Sequence, residues 1–283
     1  MLLGTDTQSY YLDMEKSKED KMKILDYLVG NTVLEIGFGD GFLLEEMENL
    51  GMDCTGVDPS DESMKRGIER DLKVIQMSAD EVVRSDIGKF DNIVLSSVCH
   101  EIFSYNRKNF YDKFDRKGIE AYRECDKEAK WRFLIFLRKL PQLLNDNGRI
   151  IIRDGLPSFD SSSVTFLVNE EDKEMLKMAK DKYFLDYSKR NNFVTMRYDD
   201  AHKFLYSSGW GLEAYKREVY EDRGALCESL WDISIKAIMR MKVIKKEIYT
   251  LPGYKERWES KLVSKNFPAP PSTIILVLEK VNI

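Results

Sequence analysis

Val33-Leu34-Glu35-Ile36-Gly37-Phe38-Gly39-Asp40-Gly41 decides the reading of this chain. Its first four residues have the look of a buried strand, three glycines then alternate, and an apolar-periodic helix starts at Phe42. A strand, a glycine turn and a helix N-terminus in succession let a ligand approach bare backbone at the positive end of a helix dipole. The spacing is G-x-G-x-G. The dinucleotide fingerprint G-x-G-x-x-G would need glycine at position 42, where Phe42 stands and would block close helix–strand contact. Glu35 places a charge at the end of an apolar strand and therefore needs a partner there. Read alone, the loop is equally compatible with a plain strand–helix connection.

Outward from the loop, Phe42, Leu43, Leu44, Met47 and Leu50 mark a helix ended by Gly51, and residues 54–58 form a second strand ending in Asp58. An acid at the tip of the second strand of a Rossmann-like fold accepts hydrogen bonds from ribose hydroxyls, although Asp58 could also cap the helix beginning near Ser60. A strand over 73–77 leads into Ser78-Ala79-Asp80, which can cap a helix over 80–85. Residues 90–97 read as the fourth strand. Ser96 lies at its carboxyl end, where ligands of parallel sheets bind.

Glu35, the three glycines with Phe38, and Asp58 together resemble the first motifs of the class I S-adenosylmethionine (SAM) methyltransferases. The resemblance covers residues 20–155 by motif, and 199–220 and 272–281 by pattern. It implies an α/β fold with a seven-stranded, doubly wound Rossmann-like sheet. It also implies SAM as cofactor, held at Glu35, Gly37, Phe38, Gly39, Gly41, Asp58, Ala79, Asp80 and Ser96. In that family the acidic position helps hold the amino group of SAM, and the residues after the third strand meet the adenine. The leading segment often folds over the cofactor, which makes Tyr10 and Tyr11 possible contacts, though packing on a first helix over 14–28 is the simpler expectation.

After the fourth strand the chain reads Cys99-His100-Glu101. The Asn/Asp-Pro-Pro-Tyr motif of many amino-group methyltransferases and the Pro-Cys nucleophile of cytosine-C5 enzymes are both missing from the sequence. A histidine can take a proton from a hydroxyl or amine as a methyl arrives. His100 is accordingly the first catalytic candidate, with Glu101 and Asp154 behind it. Asp154 follows the fifth strand (149–152); the alternative is a loop carboxylate paired with Arg153. Cys99 reads as packing.

The expected layout is one domain over 1–283. Its core spans about 20–155, 199–220 and 272–283, and helical insertions at 104–131, 156–198 and 221–271 form a cap. Within these, 105–131 interleaves basic, aromatic and acidic residues and reads as a mixed-charge helical lid. Residues 212–219 alternate like the sixth strand. Leu226 through Ile248 reads as one long helix whose end, with Lys236, Arg240, Lys242, Lys245 and Lys246, is basic. Cations there suit the helix dipole alone, or a phosphate-bearing substrate. His202 is expected to be structural.

Composition narrows the function. The 283 residues carry a net charge of −5, 33% charged residues and no long apolar run. Those values argue against a nucleic-acid-coating surface and a membrane-spanning helix. The four scattered cysteines and the first six residues suggest a reduced, cytoplasmic protein without a signal peptide. Metal-ligand spacing is absent, and no metal site is expected. The expected reaction is methyl transfer from SAM to an oxygen or nitrogen of a small molecule. Alternatives are an RNA or nucleotide substrate, or a SAM-binding module without catalysis.

Overall fold

A computed structural model of the chain describes residues 17–114, 117–219, 221–222, 224–263 and 266–281. Tyr10 and Tyr11 lie outside the described residues. In chain order the elements are α1 (Lys18–Met22), β1 (Thr32–Ile36), α2 (Phe42–Asn49), β2 (Asp53–Asp58), α3 (Asp61–Glu69), β3 (Val74–Gln76), α4 (Ala79–Val82), β4 (Phe90–Ser96), α5 (Cys99–Lys113), α6 (Ile119–Lys139) and β5 (Leu144–Gly155). There follow β6 (Ser163–Leu167), α7 (Glu170–Tyr183), β7 (Ser188–Arg190), β8 (Phe193–Arg197), α8 (Tyr198–Ser208), α9 (Leu212–Glu218), α10 (Glu228–Ile233), β9 (Met241–Tyr249), α11 (Pro252–Lys261) and β10 (Thr273–Lys280).

Seven strands form one sheet in the order β3-β2-β1-β4-β5-β10-β9. The first five are parallel, and β10 runs antiparallel to both β5 and β9. The chain steps outward from β1 to β3, then returns past β1 to β4, so a topological switch point lies between β1 and β4. Alternate residues of each strand serve opposite faces, as a period of two requires. Leu34, Ile36, Ile150, Ile152, Leu276 and Leu278 pack on one face, with Phe133, Phe136 and Leu137 of α6. Val33, Ile151, Ile275 and Val277 pack on the other, with Leu43, Leu44 and Met47 of α2. With both faces covered, the parallel strands read as continuous apolar runs.

The first five strands and the last fall where the sequence places them. The sixth does not. Residues 212–219 form a helical turn, because Leu212, Tyr215 and Val219, spaced three and four apart, all pack into one apolar cluster. The sixth strand is β9, inside the stretch expected as a long helix. That helix spans only Glu228–Ile233, continues as a π-helix over Ser234–Met239, and stops at Arg240, whose φ of 54° is left-handed. The register of β9 against β10 slips between Val277 and Leu278, leaving Ile244 as an extra residue. This bulge puts Met241 and Ile248, seven residues apart, against the same apolar cluster. Seven is two turns of helix, so the bulge disguises a strand as a helix. Lys242, Lys245 and Lys246 of the basic run therefore sit on an edge strand, where lysines discourage pairing with another chain, while Lys236 and Arg240 lie in and just after the π-helix. Lys246 is paired with Glu228 and Asp232, Lys242 lies 3.7 Å from Glu279, and Lys245 lies 3.7 Å from Glu247.

The segment expected as a helical insertion, 156–198, also contains strands: β6, β8 and β7 make a separate antiparallel sheet. Its inner face (Val164, Phe166, Val194, Met196) packs on α7, α8 and α11 through Met175, Leu176, Phe204, Leu205, Tyr254 and Trp258. The described residues 199–219 thus supply helices to this second cluster rather than strands to the main sheet. The first helix is also shorter than expected, Lys18–Met22 with a 3₁₀ turn at Leu25–Tyr27.

His202 ties the two layers together, as its structural reading requires. Its Nε2–H donates to the Leu156 carbonyl at 2.9 Å, which leaves Nδ1 to accept from the Tyr254 hydroxyl at 2.6 Å. Burial pushes its pKa from 6.5 down to about 4. The unfolded chain then takes up the proton first as pH falls. Stability attributable to His202 is expected to be complete above pH 6.5, to decline by up to about 3 kcal/mol towards pH 4, and to level off below. Urea unfolding of wild type and His202→Gln across this range checks it: identical pH slopes would refute the assignment.

Candidate functional site

A cavity of about 1150 Å³ opens at the carboxyl ends of β1, β2 and β4, between the main sheet and the second cluster. Gly37, Phe38 and Gly39 form part of one wall, and Leu205, Tyr206, Trp210, Tyr254 and Arg257 part of another. Of the sequence-derived cofactor residues, Glu35, Gly37, Phe38, Gly39, Asp58, Ala79, Asp80 and Ser96 line it. Gly41 instead starts α2 in a left-handed conformation (φ 79°), its N–H donating to the Phe38 carbonyl at 3.0 Å.

The loop is built by backbone needs that glycine alone meets cheaply. Gly37 has φ 76° and donates its N–H to the Val57 carbonyl at 2.7 Å, while a Cβ there would lie 2.3 Å from Val98 Cγ2. Gly39 donates to Asp58 Oδ2 at 3.2 Å, and Ser60 N–H donates to Oδ1 at 2.9 Å. Asp58 thus braces the loop and still borders the cavity. Burial raises its pKa, and these two backbone donors oppose the rise. The capping alternative belongs to Ser60, whose Oγ accepts from Ser63 N–H at the start of α3. At β3, Ser78 and Glu81 form a reciprocal capping box ahead of Ala79 and Asp80.

Glu35 is 2% exposed, and its Oε2 has no hydrogen-bond partner. Burial pushes its pKa well up, Asp40 and Asp58 add to the rise, and Lys21 opposes it. Lys21 is itself lowered, first by burial and then by Arg153. Ser96 Oγ is a second buried atom without a partner. Buried polar atoms left unsatisfied cost free energy unless a ligand meets them. Arg257 Nε, on the opposite wall, is a third such atom; the two at the sheet, a glycine-lined wall and a carboxylate at the tip of β2 fit a ligand with ammonium or sulfonium charge and ribose hydroxyls.

At the end of β4 the chain turns at Ser97 (φ 59°) into α5, bringing His100 over β5. Asp154, on β5, is 0% exposed and does not line the cavity, whereas His100, which it contacts, does. Its Oδ1 lies 2.5 Å from His100 Nδ1, and its Oδ2 accepts the His100 backbone N–H at 2.9 Å. Burial opposes ionisation of Asp154, but His100 and the backbone donors outweigh it and the pKa falls. An anionic Asp154 holds the proton on Nδ1, so the Nε2 lone pair is on the cavity side. The alternative pairing of Asp154 with Arg153 does not form: Arg153 binds Asp20 and Ser97 Oγ, and Tyr249 also donates to Asp20. Burial pushes the Cys99 thiol well above its usual range, with Asp154 adding to the effect, so Cys99 is packing.

Sequence reasoning missed Glu221, Tyr206, Trp210 and Arg257, all of which border the cavity. Glu221 Oε2 stands 4.0 Å from His100 Nε2. The one available signal was the acid pair Glu221-Asp222, which no motif distinguishes.

A model of the methyltransferase domain family matches residues 14–198, more than half of the chain. The mitochondrial ubiquinone biosynthesis O-methyltransferases of Bos taurus and Homo sapiens are each 29% identical over 84 residues, covering 26% of this chain and 23% of theirs. The chain thus spans about a quarter of the length of these curated relatives. Among solved structures, a SAM-dependent methyltransferase from Archaeoglobus fulgidus superposes with a TM-score of 0.53 at 14% identity, covering 96% of this chain and 99% of that one, a likeness of fold. No helix among the described residues is long and apolar enough to cross a membrane. With the Rossmann-like sheet, the glycine loop and the family match in agreement, the chain belongs to the methyltransferase domain family.

Proposed function

We propose that the enzyme methylates an oxygen or nitrogen of a small molecule, and that the acceptor lies beside His100. The observation that supports this reading is the buried Asp154–His100 pair, whose imidazole lines the same cavity as the glycine loop. SAM supplies an already activated methyl group, so the protein needs to align the nucleophile, exclude water and take a proton. Glu35 and the 37–39 backbone hold the methionine part, Asp58 the ribose, and Ala79 and Asp80 the adenine. Gly41 shapes the loop from behind. His100 Nε2 receives the acceptor's proton, with Asp154 fixing its tautomer and Glu101 beside it.

A small acceptor is favoured over RNA for three reasons. The cavity exceeds the usual size of a single-ligand site, leaving room for a second small molecule beside the cofactor. The lysines of β9 are engaged with acids rather than arrayed as a phosphate-binding groove. The ubiquinone O-methyltransferases that match part of the chain act, by name, in the synthesis of a small molecule.

Radiolabelled methyl transfer from SAM to pools of small molecules and of RNA tests this. Label is expected in the small-molecule pool. His100→Ala is expected to lose on the order of 10²–10⁴ in turnover, with S-adenosylhomocysteine (SAH) affinity nearly unchanged by calorimetry. Full activity in the variant would remove the proton-acceptor role. Label in RNA, with an affinity that falls steeply with salt, would replace the small acceptor by a nucleic acid.

A further inference from the structure

His100 is not alone at its end of the cavity. One ligand-capable atom each from His100, Glu101 and Glu221 lies within 4.8 Å of the other two. These residues come from two distant parts of the chain, α5 and the segment after α9. Residues 221 and 222 are held in place: Asp222 N–H donates to Ser104 Oγ at 2.8 Å, and its carboxylate is ion-paired with Arg107 of α5 and Lys203 of α8. The neighbouring Glu221 is thereby kept opposite His100 Nε2.

The surroundings of His100 match those of a metal-bound imidazole. A ligating histidine characteristically gives its other nitrogen to a carboxylate, which fixes the tautomer and makes the free nitrogen a better donor. Asp154 does this to Nδ1 at 2.5 Å. Ligand atoms 2.0–2.2 Å from one ion are at most about 4.4 Å apart, so small side-chain rotations complete the set. One imidazole and two carboxylates, facing a cavity that leaves other positions open, suit a first-row divalent cation better than Mg²⁺ or Ca²⁺.

We propose that His100, Glu101 and Glu221 bind a divalent cation of the Mn²⁺ or Zn²⁺ kind, and that the acceptor is a hydroxyl which this cation ligates. The inference rests on the preceding assignment of this end of the cavity to the acceptor. A hydroxyl bound to such an ion is more acidic and gives its proton to bulk water. The resulting oxygen forms the new C–O bond while the C–S bond breaks and its electron pair stays on sulfur as a thioether. With the ion bound, the Nε2 lone pair is engaged and the ion takes over the proton step proposed above for His100, so that of the preceding reading this inference keeps the acceptor's position and not the base. The absence of ligand spacing in the sequence is accounted for, because Glu221 joins the set only through the fold.

The full-length protein, stripped with a chelator, is titrated with Mn²⁺ while free Mn²⁺ is followed by electron paramagnetic resonance. Zn²⁺ is tested by competition and by direct calorimetry. SAH affinity is measured on the same samples. One ion per chain is expected. Asp154→Asn should weaken binding about 10–100-fold, and Glu221→Gln at least as much. Glu101→Gln provides a second test should Glu221→Gln fail to fold, as judged by circular dichroism. Failure to bind either ion stoichiometrically, or binding indifferent to whichever of the two glutamate variants folds, overturns the site. SAH binding without metal binding sinks this inference alone, whereas loss of both would sink the assignment of the cavity itself.

Discussion

Gly37→Ala is expected to bind no measurable SAH and to melt roughly 5–15 °C below the wild type. Two costs add. At φ 76° an L-residue pays about 1–2 kcal/mol for the left-handed conformation. The new methyl would also lie 2.3 Å from Val98 Cγ2 and 2.9 Å from its Cβ, an overpacking of the kind that costs about 1–3 kcal/mol. For a protein of this size each kcal/mol moves the melting midpoint by about 2–4 °C. The damage does not stop at stability. Val98 directly precedes α5, so displacing it shifts both the glycine wall and His100. Val98→Ala in the same chain should restore part of the melting temperature, since it removes the closer contact and leaves the dihedral cost. Calorimetry with SAH and a thermal melt check both halves. A variant that melts and binds like wild type would mean that the loop is not held as described.

Arg107→Met is expected to destabilise the protein by about 3–5 kcal/mol, the usual cost of removing one partner from a buried ion pair. Arg107 is 3% exposed. Its guanidinium pairs with Asp222 and lies 3.2 Å from Asp126, with its carbon 4.7 Å from the Tyr122 ring centroid and 5.2 Å from that of Phe103. Burial opposes ionisation of Asp222, but Arg107 and Lys203 outweigh it and hold the carboxyl well below its usual range. Asp222 retains 20% of its side-chain exposure, which puts the expected loss at the lower end. Asp222→Asn added to Arg107→Met should recover only part of the loss, since it removes the carboxylate that Arg107 leaves half-compensated but also ends its pairing with Lys203. The sign with pH follows from the depressed pKa. The stability due to Asp222 is present above the ordinary aspartate value and vanishes as pH falls through the lower folded value, so Arg107→Met should lose less than wild type on acidification. Denaturant unfolding at neutral and acid pH measures both. A cost below 1 kcal/mol would show that the pair is not buried as described.

Several misreadings share one cause: a local pattern that satisfies two periods at once. The strand reading of 212–219 sets Leu212, Ala214, Lys216 and Glu218 against Glu213, Tyr215, Arg217 and Val219, yet Leu212, Tyr215 and Val219 are spaced three and four apart as in a helix, and packing against Phe204 of α8 selects the helix. The bulge at Ile244 works in the opposite direction, giving a strand the seven-residue interval of a helix. In both places the local signal was balanced, and the decision came from which apolar surface stood nearby. The glycine loop was legible because its signal is a backbone requirement, written in residue type and spacing and independent of distant partners.

By itself the sequence determined the parallel half of the sheet, the loop at 37–41, the acids at 35 and 58, and the histidine after β4. All of these depend on contacts within one strand–turn–helix unit or on the two-residue period of a fully buried strand. Only the tertiary structure decided that Asp154 serves His100 instead of Arg153, that β9 closes the sheet, and that Glu221 faces the same imidazole. These pairings join segments far apart in the chain, and no local periodicity encodes which distant carboxylate a folded surface will bring within reach of a nitrogen.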